Sequence, residues 1–269
     1  MPDKKNISIL GCGWYGLALA KHLISLTYKV KGSTTSAQKA EILNSKGIQG
    51  SIIDLGSPTS IENTSFFSAD LLIITTPAKD STSGITYLDQ IDNLIKTIIK
   101  NKVKLVILIS STSVYGEPNR EVTENDPPTP NTGTGKLLAT AERKFLDCPA
   151  FRTTILRFGG LYGPGRDPGR FLAGKKMIPD GLAPVNLIHL QDCIGITISI
   201  IEREAFGHII NACSPTHPSR KDFYTTAALR SQLEPPVFIE ECKNWKIVSS
   251  VKITELLDYQ FNFYCGDKF

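Results

Sequence analysis

Short apolar runs alternate with stretches of helical periodicity through the first two thirds of the chain. Asn6–Leu10 predicts a buried strand, Tyr15–Leu26 a helix, Tyr28–Lys31 a second strand and Gln38–Lys46 a second helix stopped by Gly47. Gln49–Asp54 and Leu71–Thr75 predict two more strands, the latter apolar and β-branched. Tyr87–Asn101 predicts an amphipathic helix with Ile91, Leu94, Ile95, Ile98 and Ile99 on one side, and Lys104–Ser110 a fifth strand. Strands that are apolar throughout and separated by helices belong to a parallel sheet covered on both faces, here an α/β doubly wound sheet.

The rest of the chain is less regular. Glu117–Gly135, rich in Pro, Asn, Thr and Gly, predicts a long loop before a helix from Lys136 to about Leu146. Thr153–Arg157, Val185–His189 and His208–Ala212 predict strands, Gln191–Arg203 and Arg220–Gln232 helices, and Trp245–Val251 an extended segment. The Gly- and Pro-rich stretch that starts at Gly159 carries several basic groups. The expected organisation is a Rossmann-like domain over residues 1–161 and a small C-terminal substrate lobe over 162–269, interleaved with the last strands.

Composition changes this picture little. In 269 residues, 30 Lys and Arg stand against 26 Asp and Glu, a formal charge of +4. That mild excess gives no reason to expect a nucleic-acid partner, which would want a clustered basic face. The start has no signal-peptide layout, and no run approaches the roughly 18 apolar residues of a membrane span, so no membrane association is expected. None of the six cysteines is in a CxxC spacing and the four histidines form no HxxxH or HExxH pair. No metal site or disulfide framework is expected, and the default compartment is the cytoplasm.

Gly11-Cys12-Gly13-Trp14-Tyr15-Gly16 is a GxGxxG element between a predicted strand and a predicted helix. Glycines there permit a tight turn, close approach of a pyrophosphate and close helix packing, and the helix start attracts the anion. A carboxylate roughly twenty residues on would bind the ribose hydroxyl of NAD. Ser33, Thr34, Thr35 and Ser36 stand there instead, with Lys39 nearby, which favours NADP over NAD; the hydroxyls would equally cap the next helix. Asp54 and Leu55 are placed for the adenine, with Asp54 also suited to cap a loop, and Thr75 and Pro77 follow the fourth strand at the same sheet end.

Ser110-Ser111-Thr112-Ser113-Val114-Tyr115-Gly116 resembles the SSxxVYG signature of extended short-chain dehydrogenases/reductases, the NAD(P)-dependent epimerase/dehydratase family. Leu161-Tyr162-Gly163-Pro164-Gly165 after Arg157 is similar to its YGPG segment, and Asn186–Asp192 to its FIHVxD segment. The STSVYG string and GPGRxPGRFxAGK, here Gly163–Lys175, resemble most the atypical YeeZ-like group. The resemblance implies Ser111 as the serine that holds the reacting oxygen and Lys136 as the lysine of the YxxxK pair. The tyrosine of that pair is replaced by Thr132, and Leu10 stands where the family's first glycine would be.

The missing phenol divides the functional reading. A phenol, with its ordinary pKa near 10 lowered by a neighbouring Lys, exchanges the proton in the family's hydride-transfer chemistry; an aliphatic hydroxyl is far less acidic. Either the chain is an oxidoreductase or epimerase acting on a sugar-like or nucleotide-sugar substrate through another proton carrier, with Tyr162, Tyr115, His189 and Asp192 as candidates, or it binds NAD(P) without turnover as a sensor or partner-binding protein. Ser113, Tyr162, Arg166 and Arg170 are the expected substrate-binding residues, the arginines as phosphate clamps beside Arg157, Lys175 and Lys176 or as part of a solvated loop. A homodimer is a further expectation, with the helix at 87–101 facing the sheet by default. No GxSxG or GxxxxGK[ST] element points to a hydrolase or a P-loop kinase.

Overall fold

The computed structural model describes residues 5–61, 65–82 and 84–265. Its strands are β1 (Asn6–Leu10), β2 (Lys29–Thr34), β3 (Gln49–Ile52), β4 (Leu71–Ile74), β5 (Leu105–Ser111), β6 (Arg120–Val122), β7 (Arg152–Phe158), β8 (Gly160–Tyr162), β9 (Leu187–His189), β10 (Ile209–Ala212) and β11 (Lys246–Val248). Its helices are α1 (Trp14–Ser25), α2 (Ala37–Asn44), α3 (Tyr87–Lys100), α4 (Gly133–Leu146), α5 (Leu190–Glu202) and α6 (Arg220–Arg230).

Seven strands form one sheet in the order β10-β7-β5-β4-β1-β2-β3. β1 pairs in parallel with β2 and with β4, β2 with β3, and β4 with β5. The chain starts in the middle, runs to one edge, and returns to open the other half with β4. This is the doubly wound, Rossmann-like arrangement, and the reversal between β1 and β4 is where such sheets leave a crevice at their C-terminal ends. All four residues of β4 are buried, as a strand covered on both faces requires.

Helix α3 shows why the sheet is covered. Tyr87, Ile91, Leu94 and Ile98 repeat at helical spacing and pack with Leu72, Ile74, Val106 and Leu108 of β4 and β5. Ile99 lies off this stripe and is 46% exposed, a correction to the five-residue face expected from the sequence.

The chain divides into two compact units. The first comprises Met1–Ser110, Lys136–Leu156 and Glu204–Ile209; the second comprises Ser111–Gly135, Arg157–Arg203 and Ile210–Phe269. The second has its own small core of Tyr162, Val185, Leu187, Phe223 and Cys265. Among the described residues, no helix is long and apolar enough to cross a membrane.

Some predicted elements differ from those observed. β2 continues through Gly32 to Thr34, because Gly32 pairs with Ile9 of β1 and residues 32–34 pair with β3; a Cβ on Gly32 would stand 2.6 Å from Cys12 Sγ and 2.7 Å from Ile48. The stretch Glu117–Gly135 is not wholly loop: β6 lies within it and pairs in parallel with β11. Helix α4 begins at Gly133 rather than Lys136. β8, which pairs in parallel with β9, lies in the Gly-rich stretch where no strand was predicted.

Candidate functional site

The first unit carries a built turn after β1. Gly11 has φ +102°, a conformation that L side chains rarely adopt. Its N–H donates to the Ser33 hydroxyl at 2.9 Å, the Cys12 N–H donates to the Ser33 carbonyl at 2.7 Å, and the Thr75 hydroxyl donates to the carbonyls of Leu10 and Gly11. Gly16 is required sterically, since a Cβ there would stand 2.3 Å from the Gly11 carbonyl.

Gly13 is different. It has an ordinary φ of −77°, and a Cβ built on it meets nothing within 4 Å. Neither backbone conformation nor packing calls for glycine here; its effect is to leave the start of α1 open. No described side chain caps that helix and no acid stands in its first turn, the electrostatic setting that favours an anion near a helix start. Trp14 is half-buried and Tyr15 buried within the turn. Burial pushes the Cys12 thiol up to about 11, against a smaller opposing pull from its hydrogen bond to the Ser33 backbone, so it stays protonated.

A cleft of about 380 Å³ lies against this turn, lined among others by Gly11, Thr34, Thr35, Asp54, Leu55 and Pro77. The sequence placed these residues together. Ser33 also lines it but is only 2% exposed, with its hydroxyl occupied by Gly11. The Ser36 hydroxyl accepts the Lys39 N–H and caps α2. Asp54 accepts the Gly56 N–H at 2.9 Å and so holds the turn after β3. Thr75 sits behind the Gly turn, while its neighbour Thr76 faces the cleft. Lys79, Asp80, Ser81, Thr82 and Gln90 also line it and were not anticipated, because no local pattern brings the segment after β4 back over the crevice.

The second unit carries a cleft of about 330 Å³ beside the STSVYG turn. Ser111 and Ser113 line it; the Ser111 hydroxyl accepts the Ser113 N–H at 3.2 Å. Asn186, Arg220, Tyr224, Trp245 and Lys246 line it too. Apart from Asn186, quoted only within its motif, these were missed. Arg220 and Tyr224 are one turn apart on a helix that the sequence did predict, so their spacing was the available signal.

The remaining expected site residues fall elsewhere. Thr132 is exposed, and its hydroxyl accepts the Gly135 N–H at 3.1 Å, an N-terminal cap for α4 that accounts for the early start of that helix. Lys136 is exposed in the first turn of α4. Tyr162 is 1% exposed and belongs to the core of the second unit. Arg166 and Arg170 do not line the cleft that holds Ser111; Asp167 stands 3.8 Å from the Arg170 guanidinium. Asp167 also accepts the Gly169 N–H and the Ser231 hydroxyl, and a Cβ on Gly169 would stand 2.5 Å from the Ala227 carbonyl. The GPGRDPGRF segment is therefore docked on α6.

The other proton-carrier candidates are tied up. Arg157, expected on the basic loop, is buried and donates to the Tyr115 hydroxyl at 2.7 Å, which donates to Asn211 at 2.8 Å. Burial raises the Tyr115 phenol, against the pull of Arg157. His189 caps α5 through Nδ1, and its ring stacks on Phe263 with centroids 3.8 Å apart. Asp192, fully buried, accepts from the Tyr259 hydroxyl and from the Asn262 and Phe263 backbone.

Comparison with known proteins bears on this geometry. The model of the NAD dependent epimerase/dehydratase family matches residues 7–213. Protein YeeZ of Escherichia coli strain K12 is 35% identical over 265 residues, 96% of each chain. The UDP-glucuronic acid 4-epimerase of Bacillus cereus, solved with NAD, has a TM-score of 0.77 at 21% identity over 97% of this chain and 95% of its own. The Bordetella bronchiseptica enzyme WbmG, also solved with NAD, has a TM-score of 0.81 at 15% identity over 97% and 90%. The two structures share the fold. The family match and the full-length relative go further, and with them the chain belongs to the NAD dependent epimerase/dehydratase family.

Proposed function

We propose that this protein binds a nicotinamide dinucleotide and transfers hydride to or from a hydroxyl-bearing or keto carbon of a sugar-like substrate. The observation that carries the reading is Gly13: a glycine that the fold does not need, at an uncapped, acid-free helix start in the GxGxxG turn. The pyrophosphate lies against Gly11, Gly13 and Gly16 and the Trp14 and Tyr15 backbone. Asp54, Leu55 and Pro77 bound the adenine side, and Lys136 serves the nicotinamide ribose. Bound there, the nicotinamide supplies the hydride chemistry. Ser111 and Ser113 hold the substrate oxygen from their cleft.

NADP is the preferred form. Thr34, Thr35, Ser36 and Lys39 follow one another where a carboxylate would repel a 2′-phosphate. Ser33 is committed to Gly11, so Thr35 and Lys39, both exposed, are the phosphate-facing groups.

Thermal shift tests both statements. NADPH raises the melting temperature more than NADH does, Lys39→Glu narrows or reverses the difference, and Gly13→Val removes the rise while lowering the unliganded melting temperature only by the small amount that a valine at a helix N-cap costs. If neither nucleotide raises it, or Gly13→Val responds as the parent does, the reading fails. A second reading is supported by Thr132: with a capping threonine in place of the phenol, the protein is a dinucleotide sensor. Stabilisation by NADPH without turnover on a panel of sugars and nucleotide sugars would favour it.

A further inference from the structure

The cleft of the second unit has a chemistry of its own. Its lining carries two cations and one carboxylate. Lys246 is 7% exposed and spent: its ammonium donates to the Gly116 carbonyl at 2.7 Å and to Glu117 at 2.9 Å. That pair cancels, and Arg220 remains. Its guanidinium donates to a neutral group, the Pro179 carbonyl at 3.1 Å, and lies 5.9 Å from the Phe238 ring. Asp180 is near enough to feel Arg220, but its carboxylate is taken by the backbone N–H groups of Lys243 and Asn244 and by the Asn244 side chain.

The other polar groups here are mostly donors. The Tyr224 hydroxyl and the Trp245 indole N–H make no hydrogen bond to another described residue. The Ser111 hydroxyl accepts from Ser113 and keeps its proton to give. Asn186 offers little, since its amide nitrogen donates to the Lys246 carbonyl and its oxygen accepts from Val248. At about 330 Å³ the cleft stands at the lower end of the roughly 300–1,000 Å³ typical of small-molecule sites. The two aromatic rings suit the apolar face of a compact ring.

We propose that this cleft takes a monosaccharide-sized ring substrate with a single oxyanion, carboxylate or phosphate, seated on Arg220, its ring hydroxyls and carbonyl accepting from Tyr224, Trp245 and Ser111. This rests on the substrate cleft assigned above and narrows its class: one guanidinium that makes no salt bridge among the described residues matches one oxyanion bidentately, not a nucleoside diphosphate.

Isothermal titration of the whole protein with four probes tests it: glucose 6-phosphate, glucuronate, glucose and UDP-glucose. One or both anionic hexoses bind, at least tenfold more tightly than glucose, and whichever binds better identifies the anion. Arg220→Met weakens that binding at least tenfold, while Tyr224→Phe weakens it less. Circular dichroism melts show whether each variant folds; if Arg220→Met does not, Arg220→Lys, which keeps charge but not the fork, still loses several-fold. The proposal is overturned if no anionic hexose binds, if binding survives in the folded Arg220 variant, or if UDP-glucose binds more than tenfold better than both. The NADPH thermal shift is read separately on the same samples. Loss of that shift with Arg220-dependent hexose binding intact sinks the hydride-transfer reading alone; the reverse sinks this one.

Discussion

The hydroxyl of Ser33, at the end of β2, accepts the backbone N–H of Gly11, at the end of β1, across 2.9 Å. A strand-end serine thus braces a left-handed glycine, and the adjacent Cys12 N–H reaches the carbonyl of the same serine. Ser33→Ala leaves the Gly11 amide without that acceptor, a loss of about 1–3 kcal/mol for a buried donor. Urea unfolding should show that loss, and titration should show weaker NADPH and NADH binding by similar factors. A change in the ratio of the two affinities would instead place Ser33 at the ribose.

How far the sequence carries depends on whether the cause of an element is local. β4 and α3 announce themselves by a run of four apolar residues and by a stripe at helical spacing. β2 is misjudged at Gly32 because what holds that glycine in the strand is parallel pairing with Ile9 of β1 and Gly50 of β3, both distant in sequence. β6 has three residues, and pairing with β11 across more than a hundred residues makes it a strand. The Gly11–Gly16 turn could be read as a motif, with Gly11 set by its left-handed φ and Gly16 by its close approach to the Gly11 carbonyl. The cleft beside Ser111 could not, because Arg220 lies on one predicted helix and Trp245 and Lys246 on a separate predicted extended segment, and only the tertiary fold brings them to Ser111.

Thr132 caps α4 through its hydroxyl, which accepts the Gly135 N–H at 3.1 Å. Thr132→Ala should cost about 1 kcal/mol, the usual value of such a cap. If capping is its whole role, hydride transfer in that variant is unchanged once corrected for folded protein. Thr132→Tyr restores a phenol four residues before Lys136 and should create or raise turnover with NADPH. A folded Thr132→Tyr protein no faster than its parent would show that the phenol is not what the chemistry lacks.

Two histidines make stability depend on pH. Burial pulls His189 below its ordinary value of 6.5, with Asp192 pulling the other way, and burial does the same to His217 against its bond to the Val185 carbonyl. The unfolded chain therefore takes up protons first as pH falls. Stability is complete above about pH 6.5 and declines as pH drops through the lower folded values, since ∂ΔG/∂pH is positive wherever the unfolded state binds more protons. Protonation also removes the Nδ1 acceptor that caps α5. Unfolding free energy measured from about pH 7.5 to about pH 5 should fall, in a range above the titration of ordinary carboxylates. His189→Asn, which keeps a capping oxygen, should flatten that decline; an unchanged slope would assign it to other groups.

Asp192 separates a structural clamp from a proton carrier. Its carboxylate, fully buried, accepts the Tyr259 hydroxyl at 2.9 Å and the Asn262 and Phe263 N–H groups at 2.8 and 3.1 Å. The Tyr259 phenol is raised well above its ordinary value, first by burial and then by that carboxylate, so it stays a donor. Removing the acceptor in Asp192→Ala should cost about 3 kcal/mol, as for a buried hydrogen bond to a charged group. The loss should be local before it is global, loosening residues 259–265. Cys265 reports it: it is 5% exposed, with a thiol pushed up to about 11 by burial, whereas Cys242 is already exposed. Under native conditions a thiol reagent should modify Cys265 quickly in Asp192→Ala and slowly in the parent. A proton carrier would behave otherwise, losing turnover in Asp192→Asn while Cys265 stayed protected.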